Sequence, residues 1–385
     1  MDVPVFSYIL LKLSSRCNLN CTYCYWFRDA SVYEQPPLLT VAAERAFLDR
    51  LTAHIRDHGL RRFSILFHGG EPLMFGKKRF LGLMQGIARV HRETGCDFRL
   101  SMTTNGVLLD EEWAAMLKLF GITVTVSIDG PQATHDAARV DLRGRGSYAR
   151  AVRGLRLLQD VGVEPTVLSV CDPAADPDAV VAHIVDELGI RHFDILIPDA
   201  THEDEMPSIR GFYNRLFDLW FETYAERGIG VRFPKSMLVG LLGGEAHSEA
   251  IGYGPIQTLT LLPDGSLEPL DVLRITGDAS TRTGINVFEH TFQDVTSNPV
   301  WRRAFEASLS LSETCRGCEY RRACGGGYLP HRWSSARGFD NPSVYCDDLQ
   351  AMFGHIWDTV SPRLSLVTPA GSIPLSEAVL AGADG

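Results

Sequence analysis

Cys17, Cys21 and Cys24 are separated by three residues and then two, and they follow directly on an apolar stretch, 5–13, that reads as a strand. A thiolate triplet this tight holds three corners of a four-iron cubane whose usual complement is four cysteines, so one iron stays free for a small molecule. Metal with an open position is catalytic metal. Structural zinc fits poorly, because it takes four closed ligands and no histidine lies near the triplet. A disulfide framework fits worse: the chain has nine cysteines in 385 residues, and no basic, apolar, small-residue signal segment opens it. A reducing cytoplasm is therefore the expected setting.

The elements that must position such a site follow from periodicity. Short β-rich runs at 8–13, 62–67, 97–102, 123–128, 164–170 and 192–197 alternate with amphipathic helical spacing, as at Ala46, Leu48, Leu51, Ile55 and at Val152, Leu155, Leu158. Six βα units around a parallel sheet predict a partial (β/α)6 barrel, an α/β fold whose chemistry sits in the loops at the C-terminal strand ends. Those loops carry His68-Gly69-Gly70-Glu71-Pro72, Thr103-Thr104-Asn105-Gly106 and Ser127-Ile128-Asp129-Gly130-Pro131. Taken singly each reads as a turn; together they supply polar groups at successive strand ends.

Beyond about residue 230 the pattern changes. Glycine-rich 240–254 reads as a linker, and Pro263-Asp264-Gly265 as the turn of a hairpin between 258–262 and 266–270. Cys315, Cys318, Cys324 and Cys346 then form a four-thiolate set that suits either zinc or a fully ligated iron-sulfur cluster. Cys96 and Cys171 belong to neither set and read as inert, packed thiols. With 45% hydrophobic residues the chain can bury a full core, and no apolar run approaches the ~20 residues of a membrane span. A net charge of -10 disfavours a nucleic-acid partner.

The cysteine triplet, with Tyr25 after its last member, resembles the signature of the radical S-adenosylmethionine (radical SAM) enzymes, in which the open iron chelates SAM. The resemblance implies SAM contacts at Tyr23 (adenine), Gly69, Gly70 and Glu71 (amino group), Asn105, Ser127 and Asp129, and Arg139 (carboxylate). Arg139 also reads as a solvated charge at a helix start. The C-terminal region resembles the SPASM extension of peptide-modifying radical SAM enzymes, which typically holds two auxiliary four-iron clusters. Cys315, Cys318, Cys324 and Cys346 correspond to the ligands of one of them; Leu270 and Tyr328 stand where the other would take cysteines, so one auxiliary cluster is implied. This gives a barrel over 1–230, a linker over 231–256, a SPASM-like domain over 257–361 and a flexible tail over 362–385.

Within that group, Cys324-Gly-Gly-Gly-Tyr328 with His331-Arg332, and Phe339 to Asp348, look most like maturases that join an aromatic ring carbon to the β-carbon of a nearby residue, making a cyclophane in a ribosomal precursor peptide. The implied partners are that peptide and a low-potential electron donor such as flavodoxin or ferredoxin. Asp271 is the carboxylate expected to take the proton released on ring closure; it also reads as a turn aspartate capping backbone amides. Thioether formation, serine or cysteine oxidation, and a non-catalytic iron-sulfur redox or binding module remain as alternatives.

Overall fold

The computed structural model describes residues 3–246, 248–368 and 371–374. Its centre is a parallel sheet formed by β1 (Tyr8–Ser14), β2 (Arg62–Gly69), β3 (Asp97–Thr104), β4 (Thr123–Ser127), β5 (Thr166–Val170) and β6 (His192–Leu196), each hydrogen-bonded to the next. The helices α1 (Val41–His58), α2 (Lys77–Thr94), α3 (Glu111–Leu119), α4 (Gln132–Ala138), α5 (Tyr148–Asp160) and α6 (Pro177–Ala182) fill the crossovers, as parallel pairing requires. Local chemistry sets their limits. Thr40 caps α1 by accepting from Ala43 N at 3.1 Å, Asp110 caps α3 by accepting from Trp113 N at 2.9 Å, and Gly59 ends α1 in the left-handed region. Six of the seven residues of β1 are buried, the signature of a strand covered on both faces. The result is the partial barrel that the strand count predicts.

Two boundaries differ from the sequence reading. Residues assigned to a linker begin instead with a short strand, β7 (Gly230–Val231), beside β6, and α8 (Arg232–Leu241), preceded by α7 (Arg210–Leu219). The hairpin β8 (Leu259–Leu261) and β9 (Leu267–Glu268) does not stand apart either: β8 pairs in parallel with β1, so the full order is β7-β6-β5-β4-β3-β2-β1-β8-β9. Four helices follow, α9 (Pro299–Ser308), α10 (Glu313–Gly317), α11 (Arg321–Cys324) and α12 (Cys346–Val360). α12 packs on α7 and α8, and α11 on α8, so Tyr345, Leu349 and Phe353 share one apolar core with the barrel. The tail expected from 362 is partly regular, since Ser361–Arg363 make a 3-10 turn and β10 (Ser365–Thr368) pairs antiparallel with β11 (Gly371–Pro374). Its remainder lies outside the described residues. Among the described residues no helix is long and apolar enough to cross a membrane.

Candidate active site

The cysteine triplet leaves β1 in a loop pinned from both sides. Arg16 donates to Ser15 Oγ at 2.8 Å, Val32 O at 3.0 Å and Tyr33 O at 3.0 Å. Asn20 N and Thr22 N donate to Val140 O and Ala138 O, so the loop is stitched to the segment that carries Arg139. Burial pushes the Cys17 and Cys24 thiols up and the Cys21 thiol up to about 11, with the Arg139 charge opposing it at Cys21. Three half-buried thiols that resist ionising on their own match a site completed by metal, whose charge deprotonates its thiol ligands.

The strand-end residues converge on this loop. A Cβ on Gly69 would meet Ser14 O at 2.3 Å, and one on Gly70 would meet Arg16 O at 2.3 Å. The glycines thus permit close approach of β2's end to the cysteine loop itself, with Gly70 N and Glu71 N donating to Ser14 O and Arg16 O. Glu71 is fully buried and accepts from Leu73 N at 3.0 Å, Thr104 Oγ1 at 2.7 Å and Asn105 N at 2.8 Å, tying β2 to β3. Burial pushes its carboxyl up to about 7 despite those donors. Asn105 Nδ2 donates to Asn18 Oδ1 at 2.8 Å beside Cys17.

Asp129 gathers a second group. Arg139 donates to it through Nε at 2.9 Å and Nη2 at 3.1 Å, Tyr23 OH at 2.5 Å and Val170 N at 3.0 Å. The Arg139 guanidinium lies 5.3 Å from the Tyr23 ring centre. Arg139 is 8% exposed, so the solvated-charge reading does not hold for it. Ser127 ends β4, also buried. On β6, Asp194 is occupied by Arg232 Nε at 2.7 Å and Phe233 N at 2.9 Å.

One residue that the sequence reading passed over, Lys12, gathers Tyr25, His68 and Asp271 around it. Lys12, fully buried on β1, donates to Tyr25 OH at 3.1 Å, lies 3.2 Å from His68 Nδ1 and pairs with the Asp271 carboxylate. Tyr25 OH donates to Asp271 at 2.5 Å. The available signal was a lone lysine inside an otherwise apolar strand. Burial would raise the Asp271 carboxyl, but the Lys12 ammonium, His68 and the Tyr25 hydroxyl bring it down to about 2. Its side chain takes these partners and no backbone amide among the described residues, so it is not a turn cap.

In the C-terminal region Cys315, Cys318, Cys324 and Cys346 line one pocket with Arg321, Gly326 and Phe353. Ser312 caps α10 and orients Cys315. Burial pushes Cys324 up to about 12. Among the described residues no three His, Cys, Asp or Glu side chains are close enough to grip one ion. Four thiols gathered on one pocket are the donor set that a fully ligated iron-sulfur cluster takes. Leu270 and Tyr328, where the resemblance would place cysteines of a second set, join Leu273, Ala304, Leu329, Ile256, Ala307 and Phe339 in an apolar cluster.

Residues 11–183 match the Radical SAM superfamily. That stretch is a radical SAM domain. It spans β1 to α6 and contains the cysteine triplet and the strand-end groups described above. Over greater lengths the chain is similar to the cysteine-type anaerobic sulfatase-maturating enzyme of Clostridium perfringens (strain 13 / Type A), 25% identical over 376 residues, 94% of this chain and 98% of that one. It is also similar to the serine-type anaerobic sulfatase-maturating enzyme of Klebsiella aerogenes, 28% identical over 342 residues, 85% of this chain and 81% of that one. A solved structure, native anSMEcpe with bound AdoMet, shares the fold with a TM-score of 0.81 at 24% identity, over 92% of this chain and 97% of that chain. The shared fold therefore includes the C-terminal region as well as the radical SAM domain.

Proposed function

We propose that this chain is a radical SAM maturase that modifies a ribosomal precursor peptide by forming a cyclophane crosslink. The supporting observation is two thiol sets in one fold: a triplet in the loop after β1, and a set of four, with Cys324 at the end of α11 and Cys346 at the start of α12, lining one pocket. In this reading Cys17, Cys21 and Cys24 hold the SAM-binding four-iron cluster, and Cys315, Cys318, Cys324 and Cys346 an auxiliary one. Bound together, cluster and SAM supply a 5'-deoxyadenosyl radical that removes hydrogen from an unactivated C–H bond. The residues position and shield that event. Tyr23, Ser127, Asp129 and Arg139 fix the nucleoside and carboxylate ends of SAM, Gly69, Gly70 and Glu71 its amino end, and Asn105 the loop of Cys17. The barrel interior excludes water from the peptide radical. The crosslinking subtype rests on the Cys324–Tyr328 and Phe339–Asp348 segments, and the apolar cluster around Leu270 accords with a single auxiliary cluster.

The curated relatives favour a second reading, oxidation of a serine or cysteine side chain to an aldehyde. Anaerobic incubation of the cluster-loaded chain with SAM, reductant and a peptide rich in aromatic residues separates the two. A crosslink removes about 2 Da, resists backbone fragmentation between the joined residues and leaves no carbonyl. A product that reacts with a hydrazide sinks the cyclophane reading. Absence of 5'-deoxyadenosine sinks the enzyme.

A further inference from the structure

The carboxylates of the barrel interior are almost all occupied. Asp129 is held by Arg139 and Tyr23, Asp194 by Arg232, Glu71 by Thr104 and two amides, Glu268 by Arg274 and Thr281, Glu249 by Thr258, and Asp271 by Lys12 and Tyr25. Asp199 differs. It lies three residues beyond the end of β6, in the loop at the barrel mouth, and among the described residues its carboxylate takes no hydrogen bond or ion pair. Its backbone is nevertheless clamped from two sides. Arg28, four residues past the last cysteine of the triplet, donates to Asp199 O at 3.3 Å while its charge is taken by Asp204, and Tyr345, next to Cys346, donates to Pro198 O at 3.1 Å. The loop that carries the free carboxylate is thus tied to a segment adjoining each cysteine set.

We propose that Asp199 is the catalytic residue that takes the proton released when the crosslink closes. The inference rests on the peptide-maturase reading. In the step, the deoxyadenosyl radical takes a hydrogen atom from a peptide β-carbon, and the carbon radical adds to an aromatic ring carbon, forming the C–C bond. The ring adduct then gives its C–H proton to Asp199 and one electron to an oxidant, restoring aromaticity; an oxidised four-iron cluster held by Cys315, Cys318, Cys324 and Cys346 would supply that acceptor. The peptide has lost two hydrogens. Asp271 suits this task poorly because an acid held at about 2 is a weak proton acceptor at neutral pH. The surroundings of Asp199 do the opposite: burial and the negative charge of Asp271 push its carboxyl up to about 7, with Arg28 opposing, and Tyr25, Tyr328 and Tyr345, near enough to sense its charge, are kept as neutral phenols by burial. In this arrangement Asp271 tunes the base and does not itself take the proton.

The test uses the cluster-loaded chain with a peptide deuterated at its β-carbons. Asp199→Asn should still transfer deuterium into 5'-deoxyadenosine, while crosslinked product falls roughly 100- to 10,000-fold. Asp199→Glu should recover part of the loss. Wild-type crosslinking should rise with pH through about 7, a limb that Asp199→Asn lacks and that Asp271→Asn moves to lower pH by removing the like charge. Normal crosslinking by Asp199→Asn, or an unchanged limb in it, overturns the assignment. No deuterium transfer by the wild-type chain overturns the maturase reading first, and the assignment with it.

Discussion

Lys12 is the one charged residue in β1, and its ammonium is enclosed by Asp271, Tyr25, His68 and the ring of Trp26, 4.2 Å from its centre. Removing one member of a buried pair leaves the other uncompensated, at a cost of about 3–5 kcal/mol. Lys12→Met should therefore lower the melting temperature sharply, and Lys12→Met combined with Asp271→Leu should recover much of the loss; equal destabilisation by the single and double changes would refute the pairing. Arg139 makes a second testable pair. Lysine cannot reproduce its two-point contact with Asp129, so Arg139→Lys should weaken SAM binding about tenfold or more in equilibrium titration. Unchanged affinity would assign Arg139 to structure alone. Legibility at this scale divides by locality. Residues at strand ends were visible because turn chemistry marks them, and Asp271 was visible through a family likeness. Lys12 was passed over because its partner arrives from a distant turn, and Asp199 was not singled out, since nothing local tells a free carboxylate from a paired one.

The glycine loop after β2 shows how one element fixes the place of another, here the cysteine loop. Gly70→Ala places a methyl against Arg16 O and Cys17 N, so the cysteine loop must shift. The expected outcome is loss of roughly half the bound iron with the auxiliary share retained, read by iron analysis after anaerobic reconstitution. Full iron content in that variant would mean the loop has slack. The six parallel strands were legible because burial on both faces writes continuous apolar runs. The helix α8 was missed because Gly240, Gly243 and Gly244 mimic loop composition. Gly240 is there for contact: a Cβ on it would meet Ala323 Cα of α11 at 3.2 Å, so the absent side chain lets two helices approach. The sheet partner of β8 was equally hidden, because strand pattern encodes burial and leaves the neighbour open.

At the scale of the molecule the two thiol sets are chemically independent. Replacing Cys17, Cys21 and Cys24 by alanine should leave about half of roughly eight irons and abolish SAM cleavage, whereas replacing Cys315, Cys318, Cys324 and Cys346 should spare SAM cleavage and stop product formation. Zinc in the second set, found by metal analysis, would remove its role as electron acceptor. Mechanically the sets are not independent at all. Because β8 hydrogen-bonds to β1, cutting the chain between the barrel and the hairpin would expose the strand that leads into the first cysteine loop as a bare, apolar edge, the kind of surface that recruits other chains. Anyone grafting the C-terminal region of a relative onto this barrel must therefore splice after Glu268, so that the barrel keeps its own hairpin; a graft joined near residue 256 trades away the outer wall of the active site along with the domain being exchanged.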